Sequence, residues 1–213
     1  DVLRSTYAPA IPLTGSFWFY PTDTTNVLQH LFIYQNGTGT QYYRITINGT
    51  NGLVTMTYTD AVLVTTADPQ FTANMNAWNH CFFCFDSPIR GSVNGATSQV
   101  GTSGIFPTAT ILRMGARQIT AVPRTYSGYF TGRIAEFALW EGVDVYNVYN
   151  TEFYKPLANK YAPLPTPMCP ILPSRYWPFL TTDKDRMLDP AAGWLTDGSP
   201  TYATHPWVRT GGQ

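Results

Sequence analysis

Large apolar residues fall at alternate positions in one short run after another along this chain, and Gly, Asn, Asp or Pro closes each run. Leu13 to Tyr20 (LTGSFWFY) is the densest, stopped by Pro21-Thr22-Asp23. The same pattern predicts strands over 28–34, 42–47, 53–58, 61–66, 78–85, 89–93 and 110–115, with a weak strand through Val100 and a short edge strand within 1–7. Asn48-Gly49 and Asn51-Gly52 supply the left-handed backbone of a tight hairpin, so 42–47 and 53–58 are expected to pair. Asn94-Gly95 marks another turn, and 116–127 reads as a polar loop.

The longest run is Gly128 to Val145, GYFTGRIAEFALWEGVDV. A strict period of two puts Phe130, Ile134, Glu136, Ala138 and Trp140 on one face and Tyr129, Arg133, Phe137 and Leu139 on the other. Both faces carry large apolar groups, which predicts a central strand covered on both sides. Gly142 ends it, and Asp144 is placed to cap a short helix carrying Val145, Val148, Tyr149 and Phe153 up to Pro156. Residues 161–173 (YAPLPTPMCPILP) form an extended, proline-stiffened connector. The stretch of about 40 residues after it is too short to bury a core of its own. One sandwich over 1–160 is therefore expected, with 161–213 packing on it or on a neighbouring subunit.

Composition narrows the function classes. Of 213 residues only 12% are charged and 15% are aromatic, the profile of a chain with many strands and few solvated helix faces. Thirteen basic and thirteen acidic side chains cancel, so no basic excess is there to neutralise a phosphate backbone, and nucleic acid is not an expected partner. A membrane span needs about 20 consecutive apolar residues. No such run occurs, and no membrane association is expected. Cys81 and Cys84 lie three apart on one predicted strand, so they face opposite ways and can neither form a disulfide nor share a metal. With Cys169 they read as free thiols, as expected of assembly in a reducing compartment.

Two blocks carry a resemblance. Gly132-x-Ile134-x-Glu136-x-x-x-Trp140 with its capped helix resembles the late strand of laminin-G-like, concanavalin A-like sandwich domains. Trp78-Asn79-His80, the strand Cys81 to Phe85 and Val93-Asn94-Gly95 resemble a block of the same family, and the likeness covers about residues 13–155. It implies an all-β antiparallel jelly-roll with one short helix after the late central strand. Tyr176-Trp177-Pro178-Phe179, Asp183 to Asp189 and His205-Pro206-Trp207-Val208 resemble the ending of the phage-associated branch.

Glucanases of this fold carry paired carboxylates on alternate positions of one strand, set about 5–5.5 Å apart for retaining chemistry. This chain has three glutamates, Glu136, Glu141 and Glu152, and none has an acidic partner at that spacing. Glu136 is expected to be a structural carboxylate, and Trp78, His80 and Trp140 structural as well. No His pair, Cys/His constellation, Gly-x-Ser-x-Gly elbow or phosphate loop is present, and Asp183, Asp185 and Asp189 read as a solvated turn in preference to a calcium loop. No cofactor or metal is expected. Asn36-Gly37-Thr38 and Asn48-Gly49-Thr50 match the glycosylation sequon, but the turns account for both. Sugar-binding candidates are Tyr42 and Tyr43 beyond the first of these loops, and Arg117, Arg124 and Tyr126 before the long strand.

Two expectations follow. The first is a non-enzymatic protein of a phage virion surface, assembled in the host cytoplasm. There it would pack on other virion proteins such as the major capsid protein or on its own copies, with glycans as candidate ligands. The second is a carbohydrate-binding adhesion module independent of any virion.

Overall fold

The computed structural model describes residues 2–5, 9–59, 65–96, 99–100, 111–120, 125–146, 173–177 and 195–197. In chain order the strands are β1 (Val2–Ser5), β2 (Leu13–Pro21), β3 (Gln29–Gln35), β4 (Tyr42–Ile47), β5 (Leu53–Thr59), β6 (Thr65–Thr72), β7 (Asn79–Phe85), β8 (Arg90–Val93), β9 (Gln99–Val100), β10 (Ile111–Met114), β11 (Arg117–Thr120), β12 (Thr125–Ser127), β13 (Gly132–Glu141), β14 (Arg175–Trp177) and β15 (Leu195–Asp197). They form a seven-stranded sheet, β15-β1-β10-β3-β4-β5-β6, a six-stranded sheet, β14-β13-β2-β7-β8-β9, and the hairpin β11-β12. Strand pairing is antiparallel throughout, and the architecture is the expected all-β jelly-roll sandwich.

The core lies between the two large sheets. Phe17, Phe19, Phe83 and Phe85 from one sheet interlock with Phe32, Tyr43, Ile45 and Met56 from the other. Phe32 packs on Phe83 at 5.0 Å between ring centroids, and Tyr43 stacks on Phe85 at 4.7 Å. Gly15 is required here, because a Cβ would run into the Phe83 ring.

β13 departs from the simple alternation. Its register against β2 shifts between Ala135 and Ala138, and Glu136 sits in that bulge with φ of 55°. The extra residue reverses the faces beyond it. Ile134 therefore joins Phe137 and Leu139 on the core side, while Trp140 packs edge-on against Phe82 on the opposite face of the sheet. The expected grouping of Ile134 with Ala138 and Trp140 is thus corrected, since an uninterrupted period of two assumes an uninterrupted ladder. Both faces of the strand are buried from Ala135 to Trp140, as expected.

β6 runs over 65–72 where 61–66 was expected. It contains Asp68-Pro69 and is an edge strand with a register shift opposite Thr55 to Thr57, where a proline costs no ladder bond. The 116–127 segment contains the β11-β12 hairpin and is not a plain loop. Asp144 caps a helical turn at Val145-Tyr146, its carboxylate accepting the Tyr146 N–H at 3.1 Å. The remainder of the expected helix lies outside the described residues. From the closing segment, β14 pairs with β13 and β15 with β1, adding an edge strand to each sheet.

Candidate functional site

The Trp-Asn-His block builds an internal clip. The Asn79 side chain accepts from Asn74 N and donates to the carbonyls of Asn74 and Ala77, each at 2.8 Å. Asn94, left-handed at φ 53°, donates to Asn79 Oδ1 at 2.8 Å and accepts from His80 N at 2.9 Å, fastening the β8 turn to β7. His80 is hydrogen-bonded to Ser16 Oγ through Nε2 at 2.8 Å, and its ring lies 5.0 Å from that of Trp18. Burial depresses its pKa to about 3, so the ring is neutral. Trp78 packs edge-on against Tyr20, and Trp140 is fully enclosed. These groups are parts of the framework.

Carboxylates in the same sheet are tied up by arginines, Asp86 and Asp144 sharing Arg90. Asp144 pairs with Arg90 at 2.7 Å, and Glu141 with Arg175 at 3.2 Å. Glu136 is buried in its bulge, and Glu152 lies outside the described residues, as do Asp183, Asp185 and Asp189. Cys81 points into the core while Cys84 contacts Thr14, Arg90 and Asp144 on the far face. Both thiols are free and buried; burial raises both pKa values, that of Cys84 to about 12. Among the described residues no three His, Cys, Asp or Glu side chains gather as metal ligands, and no helix is long and apolar enough to cross a membrane.

The outer face of the seven-stranded sheet is different in kind. Tyr43, Ile45 and Ile47 of β4 point into the core, which turns Tyr42, Arg44 and Thr46 outward. Register brings Gln35 and Thr59 beside Tyr42, Thr57 beside Arg44, and His30 and Thr55 beside Thr46. The Arg44 guanidinium lies 5.1 Å from the Tyr42 ring centroid and donates through Nε to Thr57 Oγ1 at 2.8 Å. Arg117, from β11, lies over the same ring at 4.5 Å and donates to the Gly39 carbonyl at 3.2 Å, tying the hairpin to the loop after β3. His30 is enclosed against Gly128, where a Cβ would strike its ring. Burial first, then the positive charges of Arg44 and Arg117, depress its pKa to about 3. Polar atoms are oriented here with no paired acid and base, an arrangement suited to binding.

Of the five residues expected at a sugar site, Tyr42 and Arg117 are in contact, and Tyr126 is half-buried on β12 of the Arg117 hairpin. Tyr43 faces inward at 1% exposure, which corrects its expected place on a binding surface; the alternation on β4 that turns Tyr42 outward turns its neighbour in. Tyr42 itself is 6% exposed beneath the guanidiniums, so it positions them and offers no open stacking platform. Arg124 lies outside the described residues. Sequence reasoning missed Arg44, His30 and Gln35. Counting alternate positions from Tyr42 would have found Arg44; a register shift between His30 and Phe32 hides the other face of β3.

The fold agrees with the family whose model, described as the concanavalin A-like lectin/glucanases superfamily (Laminin_G_3), matches residues 4–143. The chain belongs to that family. Among solved structures it is similar to the native heptameric SAP-like pentraxin from Limulus polyphemus, with 13% identity, a TM-score of 0.52 and 76% of each chain covered. It is also similar to domain 4 of AbnA, an extracellular GH43 arabinanase from Geobacillus stearothermophilus solved with arabinotriose, at 15% identity and a TM-score of 0.51, covering 72% of this chain and 69% of that one. No curated protein sequence matches it.

Proposed function

We propose that this chain is a non-enzymatic, lectin-like module that attaches to glycans through the outer face of its seven-stranded sheet. The carrying observation is the convergence of the half-buried Arg44 and Arg117 on the enclosed Tyr42 ring at one face. Sugar hydroxyls are recognised by such fixed donors and acceptors. Domain 4 of AbnA, of similar fold, was solved with a bound trisaccharide, which makes sugar a reasonable ligand class to test first. Non-catalytic action is supported by the arginines that occupy these carboxylates, Arg175 on Glu141 and Arg90 on Asp144 and Asp86. The test is a broad immobilised-glycan screen followed by analysis of the bound sugars for cleavage. Saturable binding to a defined glycan without release of reducing ends is the expected result; binding to none, or turnover, overturns the proposal.

A narrower setting has its own support. The ending, with Tyr176-Trp177-Pro178-Phe179 and His205-Pro206-Trp207-Val208, resembles that of phage-associated members, and Cys81 and Cys84 are free thiols. We therefore propose the outside of a phage particle as the place of action, after assembly in the host cytoplasm. The partners would be other virion proteins, the major capsid protein among them, or further copies of this chain. Light scattering on the full chain and on a version ending at Tyr161 tests it. A full-length oligomer that becomes a folded monomer on truncation supports this setting. A monomeric full chain whose shortened form unfolds makes the ending part of the sandwich alone and removes that support.

A further inference from the structure

We propose that the face built on Tyr42 takes an acidic glycan, with a sugar carboxylate or sulfate held by Arg44 and Arg117 together; this rests on the glycan-binding reading above. Ion pairs elsewhere in the described structure bind Arg90 to Asp86 and Asp144 and Arg175 to Glu141. Arg44 and Arg117 have no carboxylate within ion-pair distance among the described residues, although they share one tyrosine ring. Each spends one N–H on a neutral oxygen, Thr57 Oγ1 or the Gly39 carbonyl, and leaves four of its five donors without a partner among the described residues.

Like charges brought together on a half-buried surface disfavour each other. The Arg44 pKa is lowered first by burial; Tyr42 opposes that, and Arg117 adds a smaller lowering. Enclosed polar atoms on this face that lack a hydrogen-bond partner among the described residues include Arg117 Nε, His30 Nδ1 and Gln35 Oε1. Unspent donors in fixed positions, with mutual repulsion that an anion would relieve, are the electrostatic complement of an oxyanion. His30 is neutral, so it offers a hydrogen bond and no charge.

The experiment measures affinity for matched glycan pairs: a uronate or sialate oligosaccharide against its carboxyl-reduced form, and a sulfated one against its desulfated form. The acidic member should bind at least about tenfold tighter, and Arg44→Gln and Arg117→Gln should each weaken it about tenfold to a hundredfold. Arg117→Lys, which keeps charge and loses the planar fork, should fall between. Whichever acidic pair shows the preference identifies the oxyanion. Equal affinity for neutral and acidic members overturns this inference and leaves the glycan reading standing. So does acidic binding untouched by both Gln variants. Binding to no member of either pair, nor to any glycan of the broad screen, ends both. Should a variant fail to fold, the wild-type chain still decides: acidic-glycan affinity must fall about tenfold from low to high salt, and a salt-independent affinity overturns the proposal.

Discussion

The outer faces of the two sheets are both closely packed, yet they treat charge in opposite ways. On the six-stranded sheet, Trp18, Phe82 and Trp140 fill the surface, His80 is bonded to Ser16, and the Arg90 cation meets the carboxylates of Asp144 and Asp86. On the seven-stranded sheet, Arg44 and Arg117 approach one ring with no carboxylate beside them among the described residues. A face that is only structural pairs the charges it buries, because an unpaired one costs free energy. A face that keeps two guanidiniums near each other retains a cost that an anionic partner would remove. On the proposed reading, this difference separates framework from binding face.

The largest expected effect tests whether the six-stranded face is truly core. Trp140→Ala removes an enclosed indole from against Phe82 and should cost about 4 kcal/mol in urea unfolding. A loss under about 1 kcal/mol would show that this face is a surface and not a second core.

Next come the two enclosed histidines, one on each face. Both have folded pKa values near 3, below the usual 6.5. The unfolded chain therefore takes up protons that the folded chain refuses between about pH 6.5 and 3. The stability contributed by each neutral ring is present above pH 6.5 and lost as pH falls through that window. Between pH 7 and pH 5 each should cost about 2 kcal/mol. Urea melts across that range, repeated on His80→Gln and His30→Gln, should each lose one proton's worth of slope. A variant that keeps the full slope would remove its histidine from the account. Burial is the main cause on both faces, and at His30 alone the charges of Arg44 and Arg117 add to it.

How far this contrast could be read before the fold was known depends on where the two-residue period holds. It holds on β4 and β7, so the sandwich, the opposed Cys81 and Cys84, and the framework role of the Trp78-Asn79-His80 block follow from alternation and turn residues alone. It fails at Glu136, where one inserted residue exchanges the faces of the long strand, and between His30 and Phe32, where a similar shift hides a histidine near the arginines. Bulges answer to the twist and closure of the whole sheet, which no local pattern carries. The Tyr42–Arg117 contact joins residues 75 positions apart through strand β10 of the same sheet, so residue type could suggest both members but not their meeting. The bounds of β6 were illegible for a related reason: it carries Pro69 as an edge strand, and only the sheet order reveals which strands are edges.

The smallest effect is the most discriminating. Arg90→Met and Arg117→Met remove the same charge from the two faces. On the six-stranded face the change leaves Asp144 without its 2.7 Å partner, and because that carboxylate is 21% exposed the penalty stays below that of a fully buried pair, at about 1.5 kcal/mol. On the other face the change deprives no carboxylate among the described residues and relieves a repulsion, while losing one bond to the Gly39 carbonyl. These small terms offset, and stability should stay within about 0.5 kcal/mol of wild type. Urea unfolding at neutral pH and moderate salt measures both. If Arg117→Met destabilises as much as Arg90→Met, the arginine over Tyr42 is a structural cation like the other, and the proposed division between framework and binding face collapses. If it is neutral or stabilising, the charge there is retained at a cost to folding, which is the signature expected of a group kept for a ligand.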